Sequence, residues 1–304
     1  LLPNMQIYRQ LARIYQARSM LYLGEGNSER AKQDLLSLHR LARHVSQGST
    51  MIEWLVAIAI DAVAFAGDTQ VALHGKLTSP KLTAWRKELA ELPPLQSFKN
   101  IIDEGERIYS LDATQDFAKA VLDENDESVD LIDELGFSGG TEVTLLRSLM
   151  FQFGYDWNVV LTMVNAHFDR VAQLFDLPTY QKRQTALEKL EAQLNGKAKR
   201  ITSVPNFTKF VIFGPAERGR QISTVLLSLM TQSMVMADTA EIRAILRQEI
   251  TQVGLAIEAY RADKGQLPAS LAALTPNYLK AVPLDLYNDQ PLNYRVRGDE
   301  YAVY

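Results

Sequence analysis

The stretch EAYRADKGQLPASLAALTPNYLKAVPLDLYNDQPLNYRVRGDEYAVY, residues 258–304, decides how the chain is read. Its first residues finish a long helical pattern, which stops where Lys264 sits near the negative end of the helix and Gly265 can take the left-handed conformation that ends it. Beyond Pro268 the text turns to loop and then to two short β-prone runs, NYRV and YAVY. Everything before this stretch reads as helix. The expected fold is therefore mainly α, a multi-helix body with a small C-terminal α+β module made of a long helix and a short antiparallel β-hairpin. By chain order the division is residues 1–200 for the helical body and 201–304 for the long helix and its tail.

Upstream of the glycine, Ile242, Leu246, Ile250, Val253, Ile257 and Tyr260 recur three and four apart, which puts them on one face. The helical pattern runs from about Ala216 to Asp263, with a break near Asp238 and Thr239 left open. At the other end of the chain, helices are expected from about Asn4 to Leu23 and Ser28 to Val45. The Gly24, Glu25, Gly26 turn between them is so short that they must pack antiparallel. MIEWLVAIAIDAVAFA, residues 51–66, is apolar nearly all round, as a helix buried in a folded body is. Thr50 and Glu53 form a capping box at its start, and Gly67 is expected to stop it. It is shorter than the roughly 18 apolar residues of a membrane span and carries Glu53 and Asp61, so no span is expected within the chain.

The middle third reads as shorter helices. Ser79 and Pro80 open one that Pro93 and Pro94 close, and Asp112 with Gln115 opens another. Gly136, Gly139 and Gly140 interrupt a run that resumes over Thr141–Phe153. Asp156 to Phe175 is a further helix, and Pro178 with Thr179 starts one expected to end near Gly196. Lys197–Pro205 reads as the connector to the C-terminal region.

Composition narrows the function. The 304 residues carry a net charge of -4, which argues against a protein that must neutralise many phosphates, so no nucleic-acid partner is expected. There is no cysteine, which removes disulfides, thiolate nucleophiles and cysteine-ligated metal together. His39 and His44 stand five apart and do not share a helix face as a metal-binding pair would; with His74 and His167 they read as structural histidines. The acidic run Asp123–Glu134 lacks the glycine that a calcium loop needs at its sixth place, where Ser128 stands, and reads as a solvated turn. GFSGG and FGPAERG match neither a phosphate loop nor a dinucleotide fingerprint, and no GxSxG or HExxH occurs. No catalytic residue, metal or cofactor is assigned.

Two features carry competing readings. Asp61, alone in an apolar helix, is either a buried acid with a catalytic task or the partner of an arginine such as Arg13, Arg18 or Arg40; the cost of an unpaired buried charge favours the second. Tyr8, Tyr15 and Tyr22, seven apart with Arg9 and Arg13 beside them, form either a stacking stripe for sugar or peptide or a packing face for a neighbouring helix.

Three resemblances accompany these readings. The first hairpin, with Tyr22 before the turn and GNSERA after it, resembles a single tetratricopeptide-type unit, with no second copy at a fixed period. Residues 241–304 resemble the soluble part of a type II secretion pseudopilin, carried by Tyr260, Gly265, Pro268, Leu271, Leu274, Tyr278, Pro283 and Asp285 in order. That resemblance implies structural roles: Tyr260 as core anchor, Gly265 as helix stop, Pro268 and Pro283 as turn formers, and Asp285 as a turn carboxylate. The pattern's aspartate, proline, aromatic and glycine stand here as Asp285, Leu286, Tyr287 and Asn288, so the chain departs from it in Leu286 and Asn288, and also in ISTVLLSLMTQSMVMADTAE where a filament-packing apolar helix would stand. Body and tail together resemble a planctomycete-type class of bacterial envelope proteins, a resemblance that implies no activity. The chain begins Leu1, Leu2, Pro3, the expectation for a trimmed product whose upstream segment could have held a signal or anchor. The combined expectation is a non-catalytic interaction or scaffold protein of the cell envelope with a protein partner, extracytoplasmic or membrane-anchored, with the cytoplasm left open. The alternatives are a small-ligand or glycan binding module and an enzyme of another type.

Overall fold

The computed structural model describes residues 2–122, 154–201, 203 and 212–304. The expected acidic turn over Asp123–Glu134, the helix over Thr141–Phe153, and Thr202, Val204 and Pro205 of the connector lie outside them, whereas Lys197–Ile201 of that connector continue a helix. The chain is mainly helical with a small C-terminal module of two short antiparallel strand pairs. Among the described residues, eight helices of more than one turn occur. They are α1 (Leu2–Gly24), α2 (Ser28–Val45), α3 (Met51–His74), α4 (Ser79–Ala90), α5 (Arg107–Leu122), α6 (Trp157–Leu174), α7 (Tyr180–Ile201) and α8 (Pro215–Lys264). A helical turn at Phe98–Asn100 and a π-helical segment at Ile101–Glu106 lead into α5, so Asp112 lies inside an established helix rather than opening one.

The local signals explain most of the boundaries. Thr50 and Glu53 cap each other's backbone at the start of α3, and the Asp156 carboxylate accepts from the backbone N–H groups of Asn158 and Val159 at the start of α6. At α4 the cap position is Thr78, with the proline in the first turn. Gly265 has φ +72 and returns its N–H to Arg261 O at 2.8 Å, closing α8.

Two glycine stops fail. α3 runs through Gly67 to His74, because Gly67 serves packing between helices: a Cβ there would lie 2.3 Å from Leu35 Cδ2 of α2. α7 likewise runs through Gly196 to Ile201. No break occurs near Asp238, and α8 is a continuous helix of 50 residues.

By compactness the chain falls into two units that do not follow chain order. One combines Leu1–Phe98 with Asp238–Tyr304, and the other is Lys99–Ala237. The uninterrupted α8 gives its earlier part to the second unit and its later part, from Asp238 on, to the first.

In the first unit α1, α2 and α3 pack around Leu38, Ala42, Ile60 and Ala64. A second cluster joins Leu35 of α2, Val71 of α3 and Trp85 of α4 to Leu255 and Ala259 of α8. The neighbouring face of α8, Val253 and Ile257, packs on Leu271, Leu274, Leu279 and Leu292 of the tail. Each fully buried aliphatic or aromatic side chain stabilises by roughly 1.5–3 kcal/mol, so a helix buried on two sides binds body and tail into one core.

The tail pairs β1 (Leu284–Asp285) with β2 (Gln290–Pro291), a ladder not anticipated from sequence, and β3 (Tyr294–Arg297) with β4 (Glu300–Val303). The second pair is the expected hairpin, in register Tyr294 with Val303 through Arg297 with Glu300. Gly298, at φ +62, makes its two-residue turn.

In the second unit α6 buries Val160, Val164, Phe168 and Val171. Arg107 of α5 bridges Asp103 and, at 2.6 Å, Asp169 of α6.

Candidate functional site

Two arrangements in the first unit gather chemistry. One is buried in the body and the other is an open groove.

The buried one contains Asp61. His39 and Arg43 of α2 and Asp61 and Asp68 of α3 face each other because both helices turn these polar positions into the same interior. His39 Nδ1 lies 2.6 Å from Asp61 Oδ1 and Nε2 lies 2.8 Å from Asp68 Oδ2. Arg43, one turn on from His39, donates to Asp61 as well and to the backbone oxygens of His39 and Pro93. The expected arginine is thus Arg43 rather than Arg13, Arg18 or Arg40. Arg13 and Arg40 are exposed, and Arg18 makes a two-bond contact with Asp34 at 2.7 Å. With a carboxyl group at each ring nitrogen, His39 satisfies both contacts by donating twice as an imidazolium. Burial pushes its pKa down, but Asp68 and Asp61 outweigh that and raise it to about 9. Two cations then balance two carboxylates. His39 is 0% and Asp68 0% exposed, and no ring lone pair is left for a metal. The cluster locks α2 to α3, and no substrate reaches it.

The remaining histidines stay apart. His44 and His74 are exposed. His167, in the second unit, is pushed down to about 4 by burial, with Arg170 adding to the effect, and its Nε2 meets Thr231 Oγ1 at 3.1 Å. Among the described residues no group of three His, Asp or Glu is placed to hold a metal ion.

The tyrosine stripe lies half-buried against the core. Tyr8 and Tyr15 pack on the α1–α2–α3 cluster and Tyr22 on the next. Arg18 sits 4.7 Å over the Tyr15 ring and Arg30 5.6 Å over that of Tyr22.

In the tail, Tyr260 meets Tyr278 edge-on at 5.4 Å. Pro268 is buried, and Pro283 O accepts from Leu292 N. The Asp285 carboxylate accepts from Tyr287 N and Asn288 Nδ2. Asp263 takes the hydroxyls of both Ser79 and Tyr278, tying α4 and the tail to the end of α8.

The open arrangement is a groove between α3 and the later part of α8. Two adjoining hollows, of about 740 and about 420 Å³, share Thr69, Ile250 and Thr251. From Ala62 to His74 on α3 the groove extends roughly 18 Å, at about 1.5 Å per residue. Its walls are mixed, with apolar Ala66, Phe65 and Leu246 at one end and Ala72, Leu73 and Leu255 toward the other, and Thr69 and Thr251 between them. Arg243 and Arg247, successive turns of α8, line the first end. Neither makes an ion pair with any described residue.

At the far end stand His74, Arg261 and the β3–β4 hairpin, which contributes Asp299, Glu300 and Tyr301. Beneath it Glu258 is almost fully buried, and burial raises its pKa while Arg261, 3.9 Å away, opposes the shift. Burial and Glu258 together push the Tyr301 hydroxyl well above its ordinary range, so the phenol stays a donor, directed at Gly254 O at 3.5 Å. Hydrogen bonding and charge recognition are what such a rim offers.

Sequence reasoning missed this groove, whose walls are separated by more than 170 positions in the chain. Its one local signal was the spacing of Arg243 and Arg247 beside the apolar face of α8.

Comparisons with protein-family models, with curated proteins and with solved structures find no match. No helix of the described residues is long and apolar enough to cross a membrane.

Proposed function

We propose that the protein is a non-catalytic interaction scaffold of the bacterial cell envelope, which receives a segment of a protein partner in the groove between α3 and α8. The observation that carries this reading is the combination, in one open channel, of partly apolar walls with two guanidinium groups, Arg243 and Arg247, that no described residue neutralises. A partly apolar trough about three helical turns long suits an amphipathic helix or an extended peptide. An unpaired guanidinium beside it selects a carboxylate, because its fork of donors matches the two oxygens. The tail holds the far end in shape through the α8 core and the Asp263 clamp. The envelope location rests on the resemblance of residues 241–304 to a secretion pseudopilin and of the whole chain to planctomycete-type envelope proteins.

A photo-crosslinking amino acid placed at Ala66 or Leu73, both exposed in the groove, tests the reading against the same group at exposed Lys189 in the second unit. The expected result in cells of the source organism is one protein captured from both groove positions and not from Lys189. Capture is lost when Arg243→Glu and Arg247→Glu are combined. Equal capture from Lys189, or none from the groove, refutes the docking reading; recovery of the natural gene product wholly in the cytosol refutes the location.

A further inference from the structure

Helix α1 has a second apolar face. Its core side is carried by Met5, Ala12 and Ser19, seven apart and buried. Ile7, Ile14 and Leu21 are also seven apart, and they are 58%, 61% and 60% exposed. At about 3.6 residues per turn this second stripe lies nearly opposite the first. A helix on the outside of a folded unit normally presents polar residues there. A lone exposed aliphatic residue needs no explanation, but three in heptad register have the form of the a row of a coiled-coil seam, with Gln10 and the small Ala17 at the d positions. Half-buried Leu11 and the small Ala17 border the stripe.

The charges around the seam indicate what covers it. α1 contains Arg9, Arg13 and Arg18 and no acidic residue. With Ile7, Ile14 and Leu21 at the a positions of a heptad, Arg13 is at g and Arg18 at the following e. These are the places from which side chains reach across to a partner helix. In a parallel pair of α1 helices Arg13 of one copy would face Arg18 of the other; in an antiparallel pair arginine would face its own equivalent. The antiparallel arrangement sets two unpaired arginines together and the parallel one gives Arg13 no carboxylate of its own, since Asp34 is already held by Arg18, so a second copy of α1 is a poor occupant.

Arg18 already holds Asp34, whereas Arg9 and Arg13 have no ion-pair partner among the described residues. A lipid surface fits less well than a helix. The stripe is a single narrow row without Trp or Phe, where an interfacial helix has a broad apolar face.

We infer that the outer face of α1, built on Ile7, Ile14 and Leu21, is a docking seam for an acidic amphipathic helix of another protein chain. That helix packs its apolar heptad positions on the stripe and turns Glu or Asp toward Arg13 at the g position. The surface is separate from the α3–α8 groove and stands without the reading given to that groove. Three side chains and their flanks make a small contact, which suits a weak, exchangeable partner.

Two synthetic four-heptad peptides with leucine at a and d, one with glutamate and one with lysine at e and g, serve as probes for the full chain in fluorescence anisotropy. The glutamate peptide is expected to bind, to weaken as salt rises from about 50 to about 300 mM, and to bind about tenfold or more tighter than the lysine peptide. Ile14→Glu removes that binding, and Arg13→Glu shifts the preference toward the lysine peptide. Both positions are exposed, so unchanged helical circular dichroism is expected for each. Arg247→Glu leaves the peptide affinity unaltered, which separates this seam from the groove. The inference is overturned by absence of binding, by equal binding of the two peptides, or by binding that survives Ile14→Glu. It is also overturned by a homodimer in light scattering that Ile14→Glu dissolves, or by flotation with anionic vesicles that Ile14→Glu abolishes.

Discussion

Raising the pH should weaken the first unit before any surface effect explains it, because His39 is held as an imidazolium between Asp61 and Asp68. In the unfolded chain a histidine titrates near 6.5, and in the fold His39 titrates at about 9. Between these values the folded state keeps a proton that the unfolded state has lost, so stability falls as pH rises. The contribution is complete below 6.5 and is lost as pH passes through 9. The upward shift of Asp68, caused by burial against the opposing pull of His39, has the same sign. The interval corresponds to about 3 kcal/mol.

Urea unfolding followed by Trp54 and Trp85, both buried in this unit, in a Trp157→Phe background, should show a decline of that size from pH 6.5 to 9.5. His39→Gln leaves two buried carboxylates with Arg43 alone and should cost roughly 3–5 kcal/mol at neutral pH. The same variant should flatten the slope between 6.5 and 9. A ring-proton titration of His39 with a midpoint at or below 6.5, or a flat wild-type profile, refutes the reasoning.

Gly67→Ala should destabilise the first unit by about 1–3 kcal/mol despite the better helix propensity of alanine, because the added Cβ meets Leu35, which is fully buried and has nowhere to retreat; Leu35→Ala combined with it should recover part of the loss, as a double-mutant unfolding cycle would measure. Gly265→Ala should cost about 1 kcal/mol through its positive φ, and Gly265→Asn less, with the difference read from thermal unfolding.

Helix starts and stops were largely legible in the sequence where a backbone donor or acceptor is satisfied by a residue a few positions away. The Thr50–Glu53 box, Asp156 ahead of α6 and Gly265 after α8 are of this kind. Periodicity was equally direct: Ile242, Leu246, Val253 and Ile257 are buried on the face their spacing defines. Loop chemistry and β-prone residues sufficed for the final hairpin, while the β1–β2 pair, two residues long on each side, is below what alternation can signal.

Gly67 and Asp61 were misread for one reason, that their roles depend on a neighbour distant in sequence. Gly67 looks like a stop until Leu35 is seen against it, and Asp61 has no local cue that selects Arg43 and His39 over three other arginines.

The sequence by itself determined a helical chain with a mixed C-terminal tail, since hydrogen-bond satisfaction and apolar period act over a few residues. Tertiary structure alone decided that Asp238–Tyr304 closes onto Leu1–Phe98 rather than standing as a separate block, and with that the buried charge lock, the α3–α8 groove and its unneutralised arginines. Each of these arises where surfaces far apart in the chain bury apolar area together, and nothing in local spacing encodes which surfaces those are.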